Sequence, residues 1–305
     1  MDFGQLHRGV DMGPAALRYT GLASELRRLG YTVEDRGDIL VPVRDRGDDI
    51  KDKPEPAAQA QTGQRGSVNR VYSNYLQAIT NVCKEVYGAA KEAVAEGDFP
   101  LFLGGDHSIS IGTIGGVSDD NQTGVIWIDA HGDFNTCETS PSGNVHGMPL
   151  AALTGEGDPA LVNIGRIGAK VDPENVVLIG IRSLDIEERV RLKKSGITVY
   201  TMRDIDEQGI STIISKALMK LIRIKRVHVS LDMDAIDPVE APGVGTPVPG
   251  GLTYREAHLC MEIVADSGKL SSMDIVEINP ILDQANKSAK LAVNLAISAL
   301  GKSIY

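Results

Sequence analysis

A chain of 305 residues, 42% apolar and 24% charged, has room for one large α/β domain that would bury roughly three quarters of its extended surface. Its formal net charge of −10 excludes a nucleic-acid binder, which needs clustered Lys and Arg, and suits a cationic substrate. No stretch approaches ~18 uninterrupted apolar residues, no basic start leads into an apolar run, and Cys83, Cys137 and Cys260 are isolated. The expectation is a cytoplasmic protein with no membrane span, signal peptide or disulfide framework.

The first residues, MDFGQLHRGVDMGP, read as a loop with only Leu6 and Val10 to bury. A helix is predicted after Pro14 as far as Leu29, with Gly30 as its stop signal. Residues 44–66 are charged and Pro-containing and read as an exposed loop. A long helix then runs from about Val68 to Glu96, closed by Gly97. From there strands are predicted at Leu101–Leu103, Val125–Ile128, Val176–Ile179, Thr198–Tyr200, Val227–Leu231 and Ser272–Val276. Helical patterns lie between most of them or follow, at Glu187–Lys194, Thr212–Leu221, Tyr254–Ala265 and Ala289–Leu300. Short β-rich runs alternating with helices imply a mainly parallel sheet covered on both faces. No linker divides the chain after residue 66 and no repeat is present, so residues 1–305 read as a single domain.

Open α/β sheets bind ligands beyond the carboxyl ends of their strands, and the reactive residues collect there. Leu101–Leu103 leads into GGDHS with Asp106 and His107, and Val125–Ile128 into DAHGDFN with Asp129, His131, Asp133 and Asn135. Val227–Leu231 leads into DMDAIDP with Asp232, Asp234 and Asp237, and Ser272–Val276 into EINP with Glu277. Asp129, His131 and Asp133 are spaced i, i+2, i+4 and share a face in extended backbone, as do Asp232 and Asp234. Four carboxylates converging with His107 and His131 repel one another unless cations neutralise them, so the set calls for more than one metal ion. Imidazole disfavours calcium, and closed structural zinc would want Cys or four closed ligands. The mixed donor set suits Mn²⁺, with Fe, Co and Zn left open, and paired ions with shared carboxylates imply water activation.

A single Asp at a strand end is commonly a turn or cap residue, and Asp237 before Pro238 fits that role, as Asp106 fits a turn or a place behind the metal ligands. His228, inside a strand, reads as a satisfied core histidine, and His7 and His258 as structural or exposed.

GGDHS (104–108), DAHGDFN (129–135), SLDMDAIDP (230–238) and the 245–256 stretch resemble the ureohydrolase family over essentially the whole chain. The stretches ETSPSGNVHGMPLA (138–151), IGIRSLD (179–185), APGVGTPV (241–248) and VEINPILD (276–283) resemble its arginase branch, of the bacillus type. The resemblance implies a three-layer αβα fold and two Mn²⁺ ions per subunit. One would be held by His107, Asp129, Asp133 and Asp232, the other by His131, Asp129, Asp232 and Asp234, with Asp129 and Asp232 bridging.

It also implies hydrolysis of the guanidinium group of L-arginine to L-ornithine and urea through a metal-bridging hydroxide. Asp133 would carry the proton to the departing amine, Glu277 would pair with the guanidinium, His146 would shuttle protons, and Thr246 would lie beside the guanidinium. Asn135, Ser140, Ser142 and Asn144 match positions that bind the α-carboxylate. Asp185 matches the α-amino ligand, with Glu188 assisting through water. The family's trimers and hexamers imply a homo-oligomer.

In bacterial arginases an apolar strand precedes the stretch matching GQLHRGVDMGP. Here the N-terminal strand is expected to be missing, leaving a gap and unpaired backbone groups in the sheet. Two other readings stand beside arginine hydrolysis: an agmatinase or guanidinobutyrase, and a metal-binding relative without catalysis.

Overall fold

Six strands pair side by side, all parallel, in the order β1-β6-β5-β2-β3-β4. They are β1 (Leu101–Leu103), β2 (Thr123–Ile128), β3 (Val176–Ile181), β4 (Thr198–Thr201), β5 (Arg226–Asp232) and β6 (Leu270–Val276). The computed structural model describes residues 1–42, 70–119 and 123–302.

β2 and β3 are buried at every position because both faces of the sheet are covered, which is why they read as continuous Val/Ile/Leu runs. Their side chains divide by the period of two. Ile126, Ile128, Val177 and Ile179 join one apolar cluster, and Val125, Trp127, Val176 and Leu178 another. The six predicted strands are all present. β3 runs two residues further than predicted and β6 starts two residues earlier.

The helices in chain order are α1 (Gly13–Tyr19), α2 (Leu22–Arg28), α3 (Arg70–Glu96), α4 (Ser110–Val117), α5 (Pro149–Leu153), α6 (Pro159–Val162), α7 (Ile186–Ser195), α8 (Met202–Gln208), α9 (Ile210–Lys220), α10 (Tyr254–Asp266) and α11 (Lys287–Ala299). The single helix expected over 14–29 is two, because Gly21 turns left-handed at φ 93° between them. α8 was not anticipated; a Thr201–Asp204 capping box starts it. The predicted loop 44–66, and the start of the long helix at Val68, lie outside the described residues. No described helix is long and apolar enough to cross a membrane.

The N-terminal segment departs from its reading as a loop burying Leu6 and Val10. Met1, Phe3, Gln5 and Val10 are buried, whereas Leu6 is exposed. Phe3 stacks on Tyr75 of α3 with ring centroids 5.2 Å apart, and the Met1 carbonyl accepts the Asp106 N–H at 2.9 Å. Gly105 is required here, since a Cβ on it would fall 1.9 Å from the Met1 carbonyl oxygen. No strand precedes β1 among the described residues, and residues 31–42 run without strand pairing.

Candidate metal centre and active site

The strand register sets Ile128 of β2 beside Leu231 of β5, and Asp232 beside Val276 of β6. The residues that follow these strands therefore meet at one edge. Asp106 caps a 3₁₀ turn, His107–Ile109, by accepting the Ser108 N–H, and this turn directs His107 inward. Asp232 caps a second turn, Met233–Ala235, by accepting the Asp234 N–H at 2.7 Å. Asp133 and Glu277 adopt left-handed backbone at φ 48° and 64°, two of only four such non-glycine residues among those described. Conformations of this kind cost about 1–3 kcal/mol each and persist where surrounding structure imposes them.

The fully buried His107 Nδ1 lies 3.2 Å from Asp129, 3.1 Å from Asp133 and 3.1 Å from Asp232, yet makes no hydrogen bond. A buried ring nitrogen facing three carboxylate oxygens without a hydrogen bond fits a metal donor. Donor atoms of His107, Asp129 and Asp133 lie within 4.8 Å of one another, as do those of Asp129, His131 and Asp234. His131 Nδ1 is 3.0 Å from Asp234 and 3.4 Å from Asp129. Asp129 thus belongs to both groups. Asp232 approaches His107 with one oxygen and caps Asp234 with the other, so its geometry ties it to the first group.

The electrostatics agree with cation binding. Burial alone would lower both histidine pKa values, but the facing carboxylates lift His107 well above 6.5 and His131 to about 12. Burial, then repulsion from Asp129, raises Asp133 to about 6, and burial with Asp234 and Asp129 raises Asp232 well above its ordinary value. Without cations the cluster must hold protons instead.

Glu277 faces this centre from β6, with a carboxylate held by three donors. Its Oε1 accepts the His107 N–H at 3.0 Å and lies 2.9 Å from His146 Nδ1; its Oε2 accepts from Gln5 Nε2 at 2.7 Å. Burial opposes ionisation, but His146 and these donors hold Glu277 below its ordinary pKa, and Glu277 in turn raises His146. Thr246 donates to Asp234 Oδ2 at 3.0 Å.

The residues expected at the far end of a substrate form a second group. Asn135 Nδ2 donates to Asp185 Oδ2 at 2.9 Å, and the Asn135 N–H donates to the Gly147 carbonyl, tying Asp185 and the 140–147 loop to the metal-facing strand end. Ser140 accepts the Gly143 N–H and Ser142 the Asn144 N–H, so both hydroxyls shape the loop. The Asn144 Oδ1 is buried with no hydrogen-bond partner. Glu188, expected to assist through water, is buried. Its oxygens accept the Phe134 N–H at 2.9 Å and, in the α7 capping box, the Asp185 N–H at 3.2 Å. It props Asn135 and Asp185 from behind, and burial raises its pKa to about 7.

Asp237 accepts the N–H groups of Val239, Gly250 and Gly251, the turn role expected of it. His228 and His258 are buried and hydrogen-bonded, and His7 is exposed.

Four supporting residues escaped the sequence reading. Trp127 stacks on His107 at 4.0 Å and donates to Asp129 Oδ2 at 2.9 Å. The Arg182 guanidinium donates to the carbonyls of Asp234 and Val248, both at 2.7 Å, and to that of Ala235. Ser230 and Asp274 lie behind His107; both are polar residues in the middle of strands covered on both faces, a signal that could have drawn attention to them.

A parallel α/β sheet with paired carboxylate–imidazole groups beyond its strand ends defines a metal-binding α/β protein with its site at the carboxyl edge. The chain belongs to the arginase family: the sequence model of that family matches residues 1–301. It is 47% identical to an arginase from Bacillus caldovelox over 306 residues, covering 100% of this chain and 96% of that protein. The crystal structure of an arginase from Bacillus subtilis superposes with a TM-score of 0.88 at 47% identity, covering 100% of this chain and 97% of that one. The native structure of the Bacillus caldovelox arginase gives a TM-score of 0.90 at the same identity and coverage.

Proposed function

We propose that this chain, as a single domain, hydrolyses L-arginine to L-ornithine and urea at a centre of two Mn²⁺ ions. The observation that carries this reading is Asp129, which lies in both donor groups, beside a His107 Nδ1 that faces three carboxylates without a hydrogen bond. His107, Asp129, Asp133 and Asp232 would hold one ion. His131, Asp129 and Asp234 would hold the other, with Asp232 completing it. Bound there, the ions supply charge neutralisation and water activation near neutral pH.

The remaining steps belong to the side chains. Ionised Glu277 pairs with the planar guanidinium, a geometric and electrostatic match, and Thr246 orients groups beside it. Asp133, which faces His107 Nδ1 at 3.1 Å, takes a proton and passes it to the departing amine. His146, partly exposed and touching Glu277, exchanges protons with solvent. Asn135, Ser140, Ser142 and Asn144 receive the α-carboxylate, Asp185 receives the α-amino group, and Glu188 holds that pair in place. A cytoplasmic homo-oligomer supplying nitrogen from arginine completes the proposal.

The test is urea release from L-arginine and from agmatine, side by side, after loading with Mn²⁺ and removing the excess, with Asp234→Ala as control. Urea from arginine that disappears in the variant supports the reading. Urea mainly from agmatine keeps the metal centre and overturns the α-group pocket. No urea from either substrate overturns catalysis.

A further inference from the structure

Behind the metal-facing side of His107 lies a second polar layer with no contact to solvent. His107 Nε2 is 2.8 Å from Ser230 Oγ, and Ser230 Oγ donates to Asp274 Oδ1 at 2.6 Å. The other Asp274 oxygen accepts from Thr113 at 2.6 Å and Ser110 at 3.0 Å and lies 3.1 Å from His228 Nε2. Ser110 Oγ also lies 3.4 Å from Ser230 Oγ. All six side chains belong to fully buried residues. Burying a carboxylate is costly, and this one is surrounded by donors, as expected of an ionised group that only accepts.

The chain of bonds has a fixed polarity. A hydroxyl carries one hydrogen, and Ser230 commits it to Asp274. Ser230 can then only accept from His107, so Nε2 carries a proton, and in the neutral ring that would bind a metal ion Nδ1 presents the lone pair. We propose that Asp274 is a positioning residue that, acting through Ser230, sets the tautomer of His107 and so makes Nδ1 a metal donor. The inference rests on the reading of His107 as a metal ligand. It gives a reason for an ionised carboxylate and a serine inside two buried strands.

Asp274→Asn tests it with little change in shape. Three donors face the outer oxygen position, so the amide oxygen belongs there and the NH₂ turns toward Ser230. Ser230 then accepts from the amide and donates to His107 Nε2, which moves the ring proton to Nδ1. Mn²⁺ titration of the metal-stripped full chain, followed by calorimetry and by the electron paramagnetic resonance signal of coupled ion pairs, would compare wild type, His107→Ala, Asp274→Asn, Ser230→Ala and the Asp274→Asn/Ser230→Ala double variant.

The expected result is that Asp274→Asn weakens, by roughly 10–100-fold, the same ion that His107→Ala removes, and leaves the other within about twofold. In the Ser230→Ala background it should add nothing further. Equal weakening of both ions, no weakening, or full additivity with Ser230→Ala would overturn the proposal. If His107→Ala keeps both ions at wild-type affinity, the metal reading of His107 fails first, which separates that outcome from failure of the relay. Should Asp274→Asn not fold by circular dichroism, Ser230→Ala decides: unchanged affinity for the His107 ion overturns the relay, and selective weakening of that ion supports it.

Discussion

Gln5 donates its side-chain N–H to Glu277 Oε2 at 2.7 Å, joining residues 272 positions apart, and does so from a fully buried position. The contact aims the carboxylate that would receive the guanidinium, while the His107 N–H and His146 hold the other oxygen. A hydrogen bond to a charged group contributes about 1.5–3 kcal/mol. Gln5→Leu should therefore lower kcat/KM for arginine roughly 10–150-fold. Gln5→Glu should do worse, because it sets a second carboxylate against Glu277. Steady-state kinetics on both variants, with thermal unfolding to confirm folding, checks this; unchanged kinetics would reduce the contact to packing.

His146 is raised above its ordinary pKa of 6.5, with burial opposing and Glu277 prevailing. A group raised in this way keeps its proton above pH 6.5 and loses it as pH passes its own value. The wild-type profile of kcat against pH should carry that inflection. His146→Asn should lose it, and turnover should fall about 10²-fold, in the range of a removed acid–base group. A full set of rates from pH 6 to pH 10 decides the matter, and an identical profile in the variant would exclude His146 from proton transfer.

Asp185 both caps α7 and faces Asn135. Asp185→Asn keeps a good capping residue while removing the charge, so stability should change by less than about 1 kcal/mol. Arginine turnover should drop through KM, whereas 5-guanidinopentanoate, which lacks the α-amino group, should be processed equally by wild type and variant. Parallel losses on both substrates would remove Asp185 from α-amino recognition.

In metal-free protein, Asp133 sits at about 6 in the folded state against 3.8 unfolded, because of burial and Asp129. Its folded pKa is raised, so its contribution to stability is complete below pH 3.8 and is lost as pH rises through 6. Ions replace those protons. The gain in melting temperature on adding Mn²⁺ should therefore grow from pH 5 to pH 8. Differential scanning calorimetry with and without metal measures it. A gain independent of pH would mean the carboxylates are not the ligands.

Lys170 is almost fully buried, and its ammonium donates to the carbonyls of Val162, Arg166 and Gly168 at 2.5, 2.7 and 2.6 Å. Lys170→Met would leave three carbonyls without their donor and should destabilise the protein by about 3 kcal/mol, with the metal affinity unchanged. Denaturant unfolding together with Mn²⁺ titration separates the two effects.

Much of this protein is written locally. The i, i+2, i+4 run Asp129, His131, Asp133 follows directly on β2, and the Asp232/Asp234 pair overlaps the end of β5. Both could be read as donor groups at strand ends, but the extended backbone expected of them gives way to left-handed backbone at Asp133 and to the Met233–Ala235 turn at Asp234. Runs such as VVLIGI specify buried parallel strands because both faces of the sheet are covered. Gly21, by contrast, broke a helix that the apolar spacing made continuous, and Leu6 and Phe3 exchanged burial, because their environments depend on α3 and on the strand ends they meet.

The sequence by itself determined the alternation of strands and helices and the donor types that converge on the metal centre. Only the tertiary structure decided that Gln5 reaches Glu277, that Glu188 turns inward to backbone N–H groups, and that Asp274 accepts from Ser230 behind His107. Apart from the Glu188–Asp185 pair, these partners lie tens to hundreds of residues apart. Which buried donor meets which acceptor is fixed by sheet order and register, and neither is encoded in any short stretch of chain.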